Sequence, residues 1–252
     1  MRKTLAASAR DYVLKLDLPF APPAFEAATA IEFSDQREAV AVGAQLAEFT
    51  PAVPAGVRGA IADSILLAQL AANKVTTQTE DVFRWYDKYI EVLQNIGWQV
   101  RDLDFQAQQV SDQDAWVHKE IIPVLALLLG PQAAAASIVI AVLKGLQNMD
   151  ASSPWITLFD QSSQHARGAK FQVSYVDADA HGSPEISLLC FGIQADRTIT
   201  QVLFFKYSAQ SAEVKKASAK LAVSMERLNA AKDALAGRVQ PFIADYVKNI
   251  DI

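Results

Sequence analysis

Between Ile121 and Leu143 the chain runs for 23 residues without a charged side chain. Mean hydropathy over this run is roughly +2.3 per residue, the level of membrane-spanning segments. No other stretch comes close, so the fold must either bury the run or offer it a bilayer. The pattern inside it is not that of one straight helix. Pro123 interrupts the first part, and Gly130-Pro131 is a strong breaker, with glycine suited to end one helix and proline to start the next. A first helix is expected to be capped at Ser111 or Asp112, to include Trp116 and to end before Gly130. A second is expected from Pro131 to about Leu146, with Ile138, Val139, Val142, Leu143 and Leu146 as its apolar stripe. The run reads as a helical hairpin hinged at Gly130 and Pro131.

Composition sharpens the contrast. Hydrophobic residues make up 51% of the 252 residues and charged ones only 20%. Alanine accounts for 43 positions, about a third of the hydrophobic total, and it contributes helix propensity more than core volume. The chain is too apolar for disorder. Its single cysteine excludes a disulfide framework. A net charge of −5 with no basic tract argues against nucleic acid as a partner. The apolar run after Met1-Arg2-Lys3 stops at Arg10, too short for a secretory signal, so synthesis in the cytoplasm is expected, with any release by a non-classical route.

The remaining periodicities predict one elongated domain over 1–252, α+β and helix-dominant. Residues 1–54 look irregular, with a helix within Phe33 to Phe49. A helical part over 55–168 carries the apolar hairpin 121–143. Helices are expected from Val57 to Asn73 and after a Thr77–Glu80 capping box, with Trp85 and Tyr89 reading as core aromatics. Trp98 to Gln108 alternates like a strand, and Ser153-Pro154 starts a short helix. A three- to four-stranded antiparallel β-meander is expected over 169–208, with Ile186–Ile193 and Ile199–Tyr207 as covered strands. From Ala209 onward Val214, Leu221, Leu228, Leu235 and Phe242 recur every seven residues, which predicts a long C-terminal amphipathic helix over 209–252.

Chemistry-bearing signatures are sparse. Phosphate-binding glycine loops, nucleophile elbows and metalloprotease motifs are missing. Asp177, Asp179, His181 and Glu185 could hold a divalent cation if their loop curled, but a polar hairpin loop explains the same composition, and no metal or other cofactor is expected. Asp112, Asp114 and His118 would make a hydrolase only if they converged in one pocket. Lys215, Lys216 and Lys220 form a small basic patch that could meet anionic lipid heads, or simply a solvated face.

These readings point to a non-enzymatic protein acting by interaction. Its sharpest form is insertion into a lipid bilayer through Ile121, Ile122, Leu125, Leu127, Leu128, Leu129, Ile138, Val139, Ile140, Val142 and Leu143. In layout, one hideable apolar hairpin among amphipathic helices is similar to α-helical pore-forming toxins. The alternative is a homo-oligomer, or an assembly module for a helical partner, using the C-terminal helix and the β-meander. The two halves of the hairpin measure about 14 and 20 Å as helices, against about 30 Å of hydrocarbon. Shallow, re-entrant insertion therefore fits better than spanning.

Overall fold

A computed structural model describes residues 2–20, 32–76, 82–101, 105–107, 115–149, 152–165, 168–208 and 211–248. The chain begins with helix α1 (Arg2–Lys15), then the hairpin β1 (Glu38–Val42) and β2 (Gln45–Phe49). Helices α2 (Ala55–Thr76) and α3 (Val82–Ile96) follow, then strands β3 (Trp98–Arg101), β4 (Gln106–Ala107) and β5 (Ala115–Trp116). The charge-free run forms α4 (Val117–Leu129), α5 (Pro131–Ala136) and α6 (Ile138–Gly145). After α7 (Pro154–Ser163) come β6 (Gln164–His165), β7 (Gly168–Ala178), β8 (Pro184–Ala195), β9 (Lys206–Tyr207) and β10 (Ala212–Val223). Helix α8 (Met225–Val239) and strand β11 (Tyr246–Lys248) complete the described chain.

The centre of the molecule is a mostly antiparallel sheet in the order β11-β1-β2-β7-β8-β10-β3, with β4 added to β10 and β6 to β7. Only β2 and β7 run parallel among these pairs. Strand alternation sends side chains to two separate cores. Ile186, Leu188 and Cys190 of β8 join one core with α1, α2, α3 and α8. Leu189, Phe191 and Ile193 join another with α4, α6 and α7. The result is three layers, helix on sheet on helix, which corrects the helix-dominant bundle with a small meander. It also explains why β8 reads as apolar on both phases.

Two elements differ most from expectation. Ala209 to Gly237 is not one helix: β10 occupies Ala212–Val223, and Ser224 then caps α8 by accepting from the Arg227 amide. A seven-residue repeat is odd, so on a strand its members face opposite ways. Val214 lies in the core that contains α4, and Leu221 in the core that contains α2. Because both faces are covered, the apolar repeat survives in a strand and mimics a helix. The alternative assembly module loses its long helix with this correction.

Likewise 38–49 is a buried β-hairpin rather than a helix, and the first 54 residues are not irregular. Both its strands are buried on both sides, so neither shows the alternation that marks a half-exposed strand. Gly43 turns the hairpin with φ +53°, where an added Cβ would sit 2.6 Å from Gln69 Oε1. Gln69 pins that turn, accepting from Ala44 N at 2.9 Å and donating to the Val42 carbonyl at 2.8 Å.

Smaller departures follow the same logic. Residues 199–205 form an irregular segment, not a strand, with Val202, Leu203 and Phe205 buried beneath α4 and α7. Trp116 pairs in β5 with β9 instead of opening the helix, which starts at Val117. The capping residues Thr77 and Glu80, and Ser111, Asp112 and Asp114, lie outside the described residues. Trp85 and Tyr89 stack in the core with ring centroids 5.1 Å apart.

Candidate membrane-contact hairpin

Sequence places the turn of the hairpin well. Gly130 ends α4 with φ +78°, a conformation that glycine adopts without strain, and Pro131 opens the next helix. The second arm, however, is not one helix to Leu146. It breaks at Ser137, whose extended backbone separates α5 from α6. Ser137 caps α6 by accepting from the Ile140 amide. The same hydroxyl donates to Glu48 Oε2 at 2.7 Å, and that oxygen also accepts from Val139 N at 3.1 Å.

Glu48 is therefore a fully buried carboxylate on β2 that holds the start of α6 to the sheet. It is paired with Arg37 at 2.8 Å, and the same guanidinium donates to the Tyr175 hydroxyl at 3.2 Å. A buried charge needs such partners, and an anion at a helix N-terminus is electrostatically favourable. Sequence inspection missed Glu48. It stands 89 residues from Ser137, and nothing local sets it apart from a surface glutamate.

Burial divides the candidate insertion residues along the hairpin. Ile121, Leu125, Val139, Ile140, Val142 and Leu143 are buried, with α4 packed on β8 and α6, and α6 on β1 and β2. Ile122, Leu128, Leu129 and Ile138 are half-buried. Leu127 is 86% exposed, and Pro131, Gln132, Ala135 and Ala136 of α5 are exposed as well. The base of the hairpin is core and its tip is surface.

Space lies under the tip on both sides. A cavity of about 480 Å³ separates Leu129–Ala133 and Ala136 from Arg37, Tyr175 and Asp177. On the other side, cavities of about 280 and 550 Å³ lie between Val124, Leu127 and Leu128 and the open part of β10. Leu128, Leu129 and Ala134 still pack at the edge of the core, while Leu127 and the outer side of α5 face outward between these grooves.

The entry to α4 is tethered by titratable groups. His118 is buried, its Nδ1 lies 2.8 Å from the Leu203 carbonyl, and its Nε2 has no partner among the described residues. Burial holds it below the ordinary imidazole value. Asp160 of α7 accepts from Val202 N at 2.7 Å, and burial pushes its carboxyl up to about 6. His118 holds the 199–205 segment to α4, and Asp160 holds it to α7.

The other chemical candidates do not assemble. With Asp112 and Asp114 outside the described residues, His118 faces only a backbone carbonyl. Asp179 accepts from the amides of His181 and Ser183, the self-satisfied turn of a polar loop. Asp177 instead accepts from Thr50 Oγ1 at 2.6 Å. Among the described residues no group of three or more His, Cys, Asp or Glu side chains is placed to hold a metal. Cys190 is buried mid-strand, and desolvation raises its thiol pKa.

No family model matches the chain, and no curated protein sequence matches it. Among solved structures it is similar to one described as a delta-endotoxin, with TM-score 0.43 and 16% identity, covering 82% of this chain and 91% of that one. It is also similar to the activated Cyt2Ba monomer from Bacillus thuringiensis subsp. israelensis, with TM-score 0.33 and 14% identity over 64% of this chain and 93% of the other. The Evf virulence factor gives TM-score 0.30 and 11% identity over 79% and 75%. These are likenesses of layout at low identity, and layout does not assign a function.

Proposed function

We propose that this protein is a non-enzymatic membrane-acting protein that seats the tip of its 121–143 hairpin in a lipid bilayer. The observation that carries the reading is the division of that hairpin into a buried base and an exposed tip, with Leu127 86% exposed. Exposed Leu127 stands at the turn with Pro131, Ala135 and Ala136 exposed beyond it, an apolar turn suited to contact.

Insertion would be shallow at first. As helices, α4, α5 and α6 are about 20, 9 and 12 Å long, short of the roughly 30 Å of hydrocarbon. One helix among the described residues, Ala55–Val75, is long and apolar enough to cross a membrane, but 72% of it is buried as the central helix of its layer. The hairpin is the shorter element and the more available one.

The test is dye release from loaded liposomes on addition of the pure protein. Leu127→Asp should abolish release, because a carboxylate in the hydrocarbon costs about 3 kcal/mol. The exposure of Leu127 means this variant should keep the native melting temperature. Native-level release by the folded variant would clear the hairpin.

A further inference from the structure

We propose that the open face of β10 beside the hairpin is a docking surface for anionic phospholipid headgroups, read by Lys216 and Lys220. This rests on the membrane-acting reading and adds a lipid preference to it. On a helix Lys215, Lys216 and Lys220 would form one patch. On β10 the alternation separates them. Lys215 turns to the other face and pairs with Glu213 at 2.9 Å. Lys216 and Lys220 share the hairpin side of the strand with Ser218.

Among the described residues no helix lies over that part of the sheet, and Ser218 and Lys220 are exposed. One wall is the flank of α4, with Val124, Leu127 and Leu128, and the opposite wall is the strand with its two lysines. The two cavities between them share Leu128 and Ser218. Neither lysine has an ion pair or hydrogen bond among the described residues. The acids that face this groove are Asp179 and Glu185, and both line its far end with Lys220. The end nearest Leu127 holds Lys216, and among the described residues no carboxylate lines it.

The arrangement matches the depth profile of an anionic leaflet. Leu127 shares its groove with Lys216, and Lys220 lies further along the same strand; ammonium groups on flexible stems can stay at headgroup level while the leucine enters the acyl region. Four residues along a strand set the lysines about 13 Å apart, so each meets its own headgroup. The chain as a whole carries −5, so a negative surface would repel it except where a local basic face is presented. Each lysine near such a surface is worth about fivefold in affinity.

Co-sedimentation with vesicles of phosphatidylcholine alone, and of phosphatidylcholine doped with phosphatidylserine, tests this. The native protein should prefer the anionic vesicles by about fivefold at low salt, the value of Lys216 alone, since Asp179 and Glu185 lie beside Lys220. Added salt should erode that preference. Lys216→Glu with Lys220→Glu should remove the preference while leaving binding to neutral vesicles and the melting temperature unchanged. Leu127→Asp should keep a residual preference without dye release. Equal binding of native protein to both vesicle types would overturn the lysine assignment, as would a preference that survives in the double variant. Either result leaves the hairpin reading to stand or fall on Leu127→Asp. Inorganic phosphate that competes no better than chloride at equal ionic strength supports a bilayer surface. Selective displacement by phosphate would reassign the groove to a free anion and overturn the docking proposal.

Discussion

Helix α2 and the 121–143 hairpin lie on opposite faces of one sheet, and both are apolar enough to invite a membrane reading. They differ in cover. Helix α2 is walled in by α3, α8 and the sheet, with Ile61, Ile65, Leu66 and Leu67 buried. Its exit would open one of the two cores. The hairpin is exposed along its outer side at Pro123, Leu127 and Ala141, and grooves flank its tip. Continuous helix length alone would select α2; under the membrane-acting proposal the lower cost of leaving the sheet favours the hairpin.

The hydrogen bonding of the two layers follows the same division. On the α2 side, polar groups of the sheet are met by α3. The Tyr89 hydroxyl donates to Gln45 Oε1 at 2.8 Å, and Gln172 Nε2 donates to the Tyr86 hydroxyl at 3.0 Å. That layer is cross-linked at several depths. On the hairpin side one buried carboxylate, Glu48, carries the polar attachment of α6. Detachment of α6 needs the loss of that cluster, while the start of α4 stays tied to the 199–205 segment through Val117 and His118.

The contrast should break first at the core residues. Leu67→Ala in α2 should cost about 2–5 kcal/mol, because a fully buried leucine leaves a cavity. Leu128→Ala in the hairpin should cost about 1 kcal/mol or less, since that side chain is only half-buried. Chemical denaturation of the two variants measures both, and equal losses would show that the tip is packed as firmly as α2.

A smaller effect is expected at the attachment. Glu48→Ala leaves the Ser137 hydroxyl and the Val139 amide without their acceptor, at about 1–3 kcal/mol. Amide exchange should rise across 138–145 more than across 55–76. Uniform acceleration would mean that Glu48 supports the whole molecule and not the hairpin alone.

The smallest effect concerns pH. The folded state raises Asp160 from 3.8 to about 6. Its contribution to stability is therefore full below the usual carboxylate range and is lost as pH rises through about 6. His118 is lowered in the folded state, so its contribution is present above the ordinary imidazole value and is lost as pH falls. The two oppose each other in the weakly acid range. Asp160→Asn removes the first, so this variant should gain stability relative to the native protein as pH rises from about 4 to 7. Parallel pH profiles of the two proteins would exclude Asp160 as a contributor.

Much of the hairpin was legible because its signals are local. A charge-free run, a Gly-Pro breaker and an apolar stripe each lie within a few residues of what they specify. The same holds for α2, for α3 and for the start of α7 at Pro154. The seven-residue spacing from Val214 to Phe242 was misleading because a strand covered on both faces loses the polar phase that would identify it. The hairpin 38–49 was obscure for that reason too. The partition of Lys215 from Lys216 and Lys220 followed from the same correction, since strand alternation separates residues that a helix would group.

By itself the sequence determined that one segment is too apolar for the surface, where that segment turns, and that the catalytic signatures sought are missing. Hydropathy and turn chemistry are properties of short windows, so a chain carries them openly. Only the tertiary structure decided which apolar element is enclosed and which is exposed, that Glu48 holds α6, and that Lys216 stands beside Leu127. Those outcomes depend on strands distant in sequence becoming neighbours in one sheet, and no local window records that pairing.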